Sequence, residues 1–168
     1  RRAGYDRGMQ TRSLLALAKN AGVHTCVQTA GAVSPDAILA VLDHVDLFQL
    51  DLKHMDSARH RMLTGVGTER IHENARLLFA HGANVELRMP IVPGVNDDAE
   101  NLDALAAFLH AHGRTTLHIV PYQRSYLGKY EALGLPPRCA GVEPPSPGAM
   151  FDLVERFARM GLEATLEA

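Results

Sequence analysis

Apolar runs alternate with amphipathic ones along the chain. Short apolar and β-branched runs predict strands over residues 23–29 (VHTCVQT), 45–53 (VDLFQLDLK), 85–92 (VELRMPIV) and 115–122 (TTLHIVPY). Residues 162–166 predict a short fifth strand at an edge. Helical spacing fills the gaps. Residues 11–21 put Leu14, Leu15, Leu17 and Ala18 on one side and stop at Gly22. Ser34-Pro35-Asp36 opens a second helix, as N-cap and first-turn proline, with Ile38, Leu39 and Leu42 as its apolar face. Residues 68–81 carry Ile71, Ala75, Leu78 and Phe79 and stop at Gly82; residues 97–112 carry Leu102, Leu105, Phe108 and Leu109 and stop at Gly113. Residues 146–160 carry Met150, Leu153, Val154 and Phe157 and stop at Gly161. Residues 132–148 hold five prolines and predict a surface loop.

The spacing between strands leaves room for crossover helices, so the strands are expected to be parallel. Two parallel arrangements fit, an open doubly wound sheet and a (β/α) barrel. The chemistry at the strand ends favours the barrel, whose reactive groups sit at the C-terminal ends of the strands. Those ends supply Gln28 and Thr29, Asp51 with Lys53, Arg88, and Gln123. No G-x-G-x-x-G follows the first strand, and no phosphate-binding P-loop is present. Four or five strands are too few to close a barrel of the usual eight or so. The chain, read as a single domain over residues 1–168, is therefore expected to be a piece of a longer protein or to need a partner.

Composition narrows the classes. Seventeen Lys and Arg against nineteen Asp and Glu give a net charge of -2, which offers no basic footprint for nucleic acid or an anionic membrane. The 46% hydrophobic content suits a packed core. No apolar run is long enough to predict a transmembrane helix, and no apolar stretch follows the charges of Arg1 to Arg7 to predict a signal peptide. The chain has 2 cysteines, Cys26 and Cys139, far apart in sequence. They exclude a Cys-rich zinc module and a cluster held by three local thiolates, and a reduced, cytoplasmic setting is the default expectation. Cys26, inside a strand, is expected as a small core residue, and Cys139 as a solvent-facing thiol.

In Asp51-Leu52-Lys53 the two charges fall on one side of a strand. The residues alone leave open a structural ion pair and a binding site. Schiff-base chemistry at Lys53 needs a lowered pKa, which Asp51 opposes. Arg88 lies in an apolar strand and either faces a carboxylate across a buried surface or points outward with Glu86. The nine histidines show no zinc-enzyme spacing: His110 and His112 straddle a helix, and His54 and His60 bracket a predicted loop. Thr64-Gly65-Val66-Gly67-Thr68 fits a plain turn better than a phosphate cradle.

Taken in order, HTCVQTAG, LFQLDLKHMD, HRMLTGVGTERIHENARLL, VELRMPIVPGVNDDAENLDALAAFL and LHIVPYQRSYLGKYEALGL resemble the glycyl-radical-enzyme activating enzymes of the radical S-adenosylmethionine (SAM) superfamily, the pyruvate formate-lyase activating type above all. The resemblance runs from about Ser13 to Gly161. It implies an α/β partial barrel of which these strands are the third to sixth. It also implies a [4Fe–4S] cluster on a C-x-x-x-C-x-x-C loop and reductive cleavage of SAM to methionine and a 5′-deoxyadenosyl radical, with hydrogen abstraction from a glycine of a partner enzyme. An electron donor is implied as well. Asp51 and Lys53 match the D-x-K of the SAM site, Arg88 matches an arginine that helps hold SAM, and Thr29 with Asp51 match a monovalent cation site.

Three departures accompany the resemblance. The cluster motif is absent from this chain. The G-G-E-P loop is replaced by Gly4-Tyr5-Asp6-Arg7. Gln28 stands in place of an acidic cation ligand and Gln123 in place of a SAM-contacting histidine, and a neutral amide brings no charge to either role. The expectation is the C-terminal part of a radical SAM activase that cannot bind the cluster by itself. The alternatives are a non-catalytic barrel remnant and a Lys-dependent barrel aldolase.

Overall fold

The computed structural model describes residues 7–136, 139 and 141–167; Gly4, Tyr5 and Asp6 of the altered loop lie outside them. The chain divides into two compact units, residues 1–52 with 56–87, and residues 53–55 with 88–168. Five strands form one sheet in chain order. A doubly wound sheet reverses its strand order at a switch point; sequential order is the winding of a (β/α) barrel.

The first unit holds α1 (Arg7–Asn20), β1 (Cys26–Thr29), α2 (Pro35–Leu39), β2 (Leu47–Asp51), α3 (Ser57–Thr64), α4 (Glu69–Ala80) and the start of β3 (Val85–Ile91). β1 and β2 run parallel, with Val27 abreast of Phe48 and Gln28 abreast of Gln49. Ile38, Val41, Val45, Phe48 and Leu78 form its core. α4 turns Ile71, Asn74, Ala75 and Leu78 inward, as the predicted stripe requires. Asn74 is buried because its amide donates to the carbonyls of Gly31 (2.8 Å) and Val33 (2.9 Å), fastening the turn after β1. Gly31 takes φ +69 there, and a Cβ would meet the Leu50 side chain at 3.0 Å.

Several expectations fail in this unit, among them that of Leu39 on the predicted apolar face of α2, where it is exposed. Leu14 and Leu17 of α1 are exposed, while Leu15 packs against the core. Cys26 is exposed rather than a core residue, because β1 is short and lies at the end of the sheet. The segment with His60 is not a loop but α3, capped by Asp56, whose carboxylate accepts from the Arg59 amide at 2.6 Å, and ended by Gly65 at φ +91. Glu69 and Ser57 fill the space beside Gly67, which a Cβ would invade, so the Thr64–Thr68 stretch is a packed turn rather than an anion cradle.

The second unit holds the rest of β3, α5 (Ala99–Ala111), β4 (Thr116–Pro121), α6 (Leu127–Ala132), α7 (Pro147–Arg159) and β5 (Glu163–Leu166). β3 with β4, and β4 with β5, are parallel. Met89, Ile91, Leu117 and Ile119 are buried on the strands, Leu102, Leu105 and Leu109 on α5, and Met150 and Phe157 on α7. α5 and α7 begin at Asp98 and Ser146, whose side chains accept from the amides of Asn101 and Ala149. α6 lies between β4 and the proline-rich loop, where the sequence predicts no element. Cys139 is half-buried and takes φ 60, not the open thiol expected.

Candidate functional site

Alternation along each strand sends Phe48, Leu50, Leu87, Met89, Ile91, Leu117 and Ile119 into the core. Within each strand the intervening positions then share the opposite face, and most of them are polar. In the first unit that face carries Gln28 abreast of Gln49, then Asp51 at the end of β2, with the Gln49 amide donating to Glu86 at 3.3 Å. Asp51 is half-buried and Gln28 exposed. Thr29 is abreast of Leu50, so the register puts it on the other face from Asp51. Its hydroxyl accepts from the Gly31 amide at 3.0 Å, and it lines an apolar cleft of about 280 Å³ with Val27, Ile38 and Phe48. The structure therefore aligns Gln28 and Gln49 with Asp51, and sets Thr29 apart from them.

In the second unit, Arg88 on β3 stands abreast of His118 on β4, and His118 abreast of Thr165 on β5. His118 Nδ1 and Thr165 Oγ1 are 2.9 Å apart. Arg88 is buried, with 8% of its side chain exposed, so it does not point out to solvent beside Glu86. Its Nε donates to Glu167 Oε2 and its Nη2 to Glu167 Oε1, both at 2.8 Å. This is the two-pronged geometry by which a guanidinium recognises a carboxylate.

Lys53 belongs to this same unit, and two asparagines fix its backbone. Asn96, buried, donates from Nδ2 to the carbonyls of Lys53 (2.8 Å) and Pro90 (2.7 Å), while its Oδ1 accepts from the Val92 amide at 2.8 Å. Asn101 Oδ1 accepts from the Met55 amide at 2.7 Å, and its Nδ2 donates to the Asn96 carbonyl at 2.7 Å. One side-chain amide thus ties Lys53 to the C-terminal end of β3, two residues beyond Arg88. Gln123 follows β4, exposed, in extended backbone ahead of the turn Arg124–Tyr126.

Asn96 and Asn101 were not singled out from the sequence. In VPGVNDDAEN they read as turn and cap residues, and their reach back to residues 53–55 is a long-range fact that local pattern does not carry. Sequence reasoning also passed over Glu167, which carries no motif.

The histidines act locally. His60 Nδ1 lies 2.7 Å from the Val66 carbonyl, His110 Nε2 2.8 Å from the Met160 carbonyl, and His112 Nδ1 2.7 Å from the Phe108 carbonyl. Among the described residues, no group of three or more His, Cys, Asp or Glu is placed to hold a metal ion. Cys26 and Cys139 fall in different units. The residues present thus do not fit a [4Fe–4S] cluster. The carboxylate grip at Arg88, by contrast, fits an amino-acid moiety such as that of SAM. Among the described residues, no helix is long and apolar enough to cross a membrane.

Residues 3–106 match the profile of the radical SAM superfamily. The choline trimethylamine-lyase activating enzyme of Oleidesulfovibrio alaskensis is 36% identical over 126 residues, covering 73% of this chain and 41% of that protein. The pyruvate formate-lyase-activating enzyme of Staphylococcus epidermidis is 35% identical over 136 residues, covering 77% of this chain and 54% of that protein. The chain thus spans about two fifths to one half of the length of these relatives. Among solved structures, a domain of a pyruvate-formate lyase-activating enzyme from Bacteroides vulgatus superimposes with a TM-score of 0.78 at 23% identity, covering 99% of this chain and 96% of that one. Streptococcus suis SuiB bound to its precursor peptide superimposes with a TM-score of 0.68 at 14% identity, covering 96% of this chain and 36% of that one. At these identities the two structures speak for the fold alone.

Proposed function

The chain belongs to the radical SAM superfamily, and from that membership we propose that it is the C-terminal part of an enzyme that installs a radical on a glycyl-radical enzyme. The intact protein then carries the cluster ligands upstream of Arg1, takes its electron from an external donor, and works in the cytoplasm. Bound SAM supplies the radical chemistry; the residues of this chain bind and orient it.

The observation that carries the reading is the buried Arg88 fork, already closed on a carboxylate. The amino-acid end of SAM presents such a carboxylate. Lys53, with its carbonyl clamped to the end of β3, brings an ammonium on a tethered backbone. Gln123, after β4, is assigned to the nucleoside end, where it can both donate and accept. Asp51 keeps its place in the D-x-K pattern, and within the first unit a cation there draws on Asp51 with Gln28, which share a face, rather than on the Thr29 side chain.

The site is tested by equilibrium binding of S-adenosylhomocysteine, which keeps the amino acid and the adenosine. Arg88→Gln and Lys53→Ala are each expected to weaken it at least tenfold or so, about 1.4 kcal/mol. Unchanged affinity in both would overturn the assignment. The activity is tested on the protein expressed with its upstream coding sequence. With SAM and a reductant it should form 5′-deoxyadenosine and raise a glycyl-radical signal on its partner; a protein whose upstream sequence lacks the cluster cysteines would instead support a barrel remnant.

A further inference from the structure

Glu167 has a specific place. Its amide donates to the Ile119 carbonyl at 3.0 Å, so the backbone continues the β5–β4 ladder one step beyond Leu166. Its side chain falls on the face of Thr165, two residues earlier, and that is the face of His118 and Arg88. From β5 the carboxylate reaches across β4 to take two N–H groups of Arg88 on β3.

The two partners are not equally embedded. The Arg88 side chain is 8% exposed and that of Glu167 33%. A buried guanidinium left without a counter-charge is costly, whereas a half-exposed carboxylate can turn into water at little expense. Arg88 must therefore be paired in every state, and Glu167 is the partner able to leave. Two carboxylates cannot share the same pair of N–H donors.

We propose that Glu167 is a positioning residue that stands in for a ligand carboxylate: it holds the Arg88 fork open and oriented, and a carboxylate-bearing adenosine ligand binds by displacing it. This rests on the reading of Arg88 as a ligand contact. The exchange has two consequences. The ligand's gain at Arg88 is reduced by the loss of the internal pair, which weakens binding. A ligand without a carboxylate leaves the internal pair in place and is insensitive to Glu167.

The experiment compares S-adenosylhomocysteine with 5′-methylthioadenosine, the same nucleoside thioether without the amino-acid carboxylate, by calorimetric titration of the whole chain. Glu167→Gln should bind S-adenosylhomocysteine about five- to tenfold more tightly than the parent, with 5′-methylthioadenosine unchanged. Glu167→Asp, which keeps the charge but shortens the reach, should fall between. Circular dichroism of each variant reports the fold. If Glu167→Gln leaves S-adenosylhomocysteine binding unchanged or weaker while Arg88→Gln still weakens it, the exchange is wrong and Arg88 remains a ligand contact. If Arg88→Gln has no effect, or if no protein in the set binds S-adenosylhomocysteine, the reading of Arg88 falls and the exchange with it.

Discussion

Asn96 is the residue whose loss should be felt furthest from its own position. Its side-chain amide satisfies two carbonyls and its oxygen one amide, from three separate places in the chain. Asn96 is buried and its partners partly so, and truncation leaves those donors and acceptors without this partner. Asn96→Ala is expected to lower stability by roughly 2–4 kcal/mol in urea unfolding, taking about 1–3 kcal/mol for each orphaned buried group as the guide. It should also weaken S-adenosylhomocysteine binding under conditions where the variant is still folded, because Lys53 is no longer tied to the end of β3. A variant that loses stability and keeps parental affinity would show that the clamp is structural. The charged candidates Asp51, Lys53 and Arg88 stood out in the sequence because charge inside an apolar strand is conspicuous. The asparagines did not, because the same residue type caps and turns chains everywhere. That the Thr29 side chain faces away from that of Asp51 was illegible for a third reason: parity across neighbouring strands depends on register, and a one-residue offset changes the face.

At the scale of elements, the crossing from α1 through β1 to β2 is secured by a polar knot at the N-terminal end of the strands. Asp46 accepts from the Thr25 amide at 2.8 Å, from the Thr25 hydroxyl at 2.9 Å and from Lys19 Nζ at 3.0 Å. The Thr25 amide, then Lys19 and the Thr25 hydroxyl, hold the Asp46 carboxyl well below the usual carboxylate range. A depressed folded-state pKa contributes stability above the unfolded value, near 3.9, and that contribution is lost as pH falls through the folded value. Asp46→Asn should therefore lower the thermal midpoint at neutral pH and flatten the acid limb, the two proteins converging as pH falls through the depressed folded-state value. Parallel acid limbs in the two proteins would remove Asp46 from the account. The strands and α4, α5 and α7 were legible because they bury a regular face; α1 was legible from its spacing and the Gly22 stop, although Leu14 and Leu17 lie exposed. α3 and α6 were not: SARHRMLT carries its Met62 exposed and LGKYEA holds a glycine, so neither shows an apolar stripe. The signals that α3 does carry are its caps, Asp56 with the Arg59 amide and Gly65 in the left-handed region, and caps read alone are weak beside periodicity.

For the molecule as a whole, two properties expected together in an intact radical SAM enzyme come apart in this chain. On the proposed reading, ligand recognition falls to strand-end residues that the chain contains, with Arg88 and Lys53 in one compact unit. Electron delivery requires the thiolates of a C-x-x-x-C-x-x-C loop, and the chain contains 2 cysteines, one in each unit. Binding should therefore survive where cleavage does not. Anaerobic reconstitution with iron and sulfide is expected to leave the chain without a stoichiometric [4Fe–4S] spectrum, and incubation with SAM and dithionite to yield no 5′-deoxyadenosine above the protein-free control. The same preparation should still bind S-adenosylhomocysteine in an Arg88-dependent manner. A stoichiometric cluster on this chain would mean that ligands beyond its two thiols suffice, and would overturn the division of labour. Absence of Arg88-dependent binding would overturn the reading of Arg88 as a ligand contact.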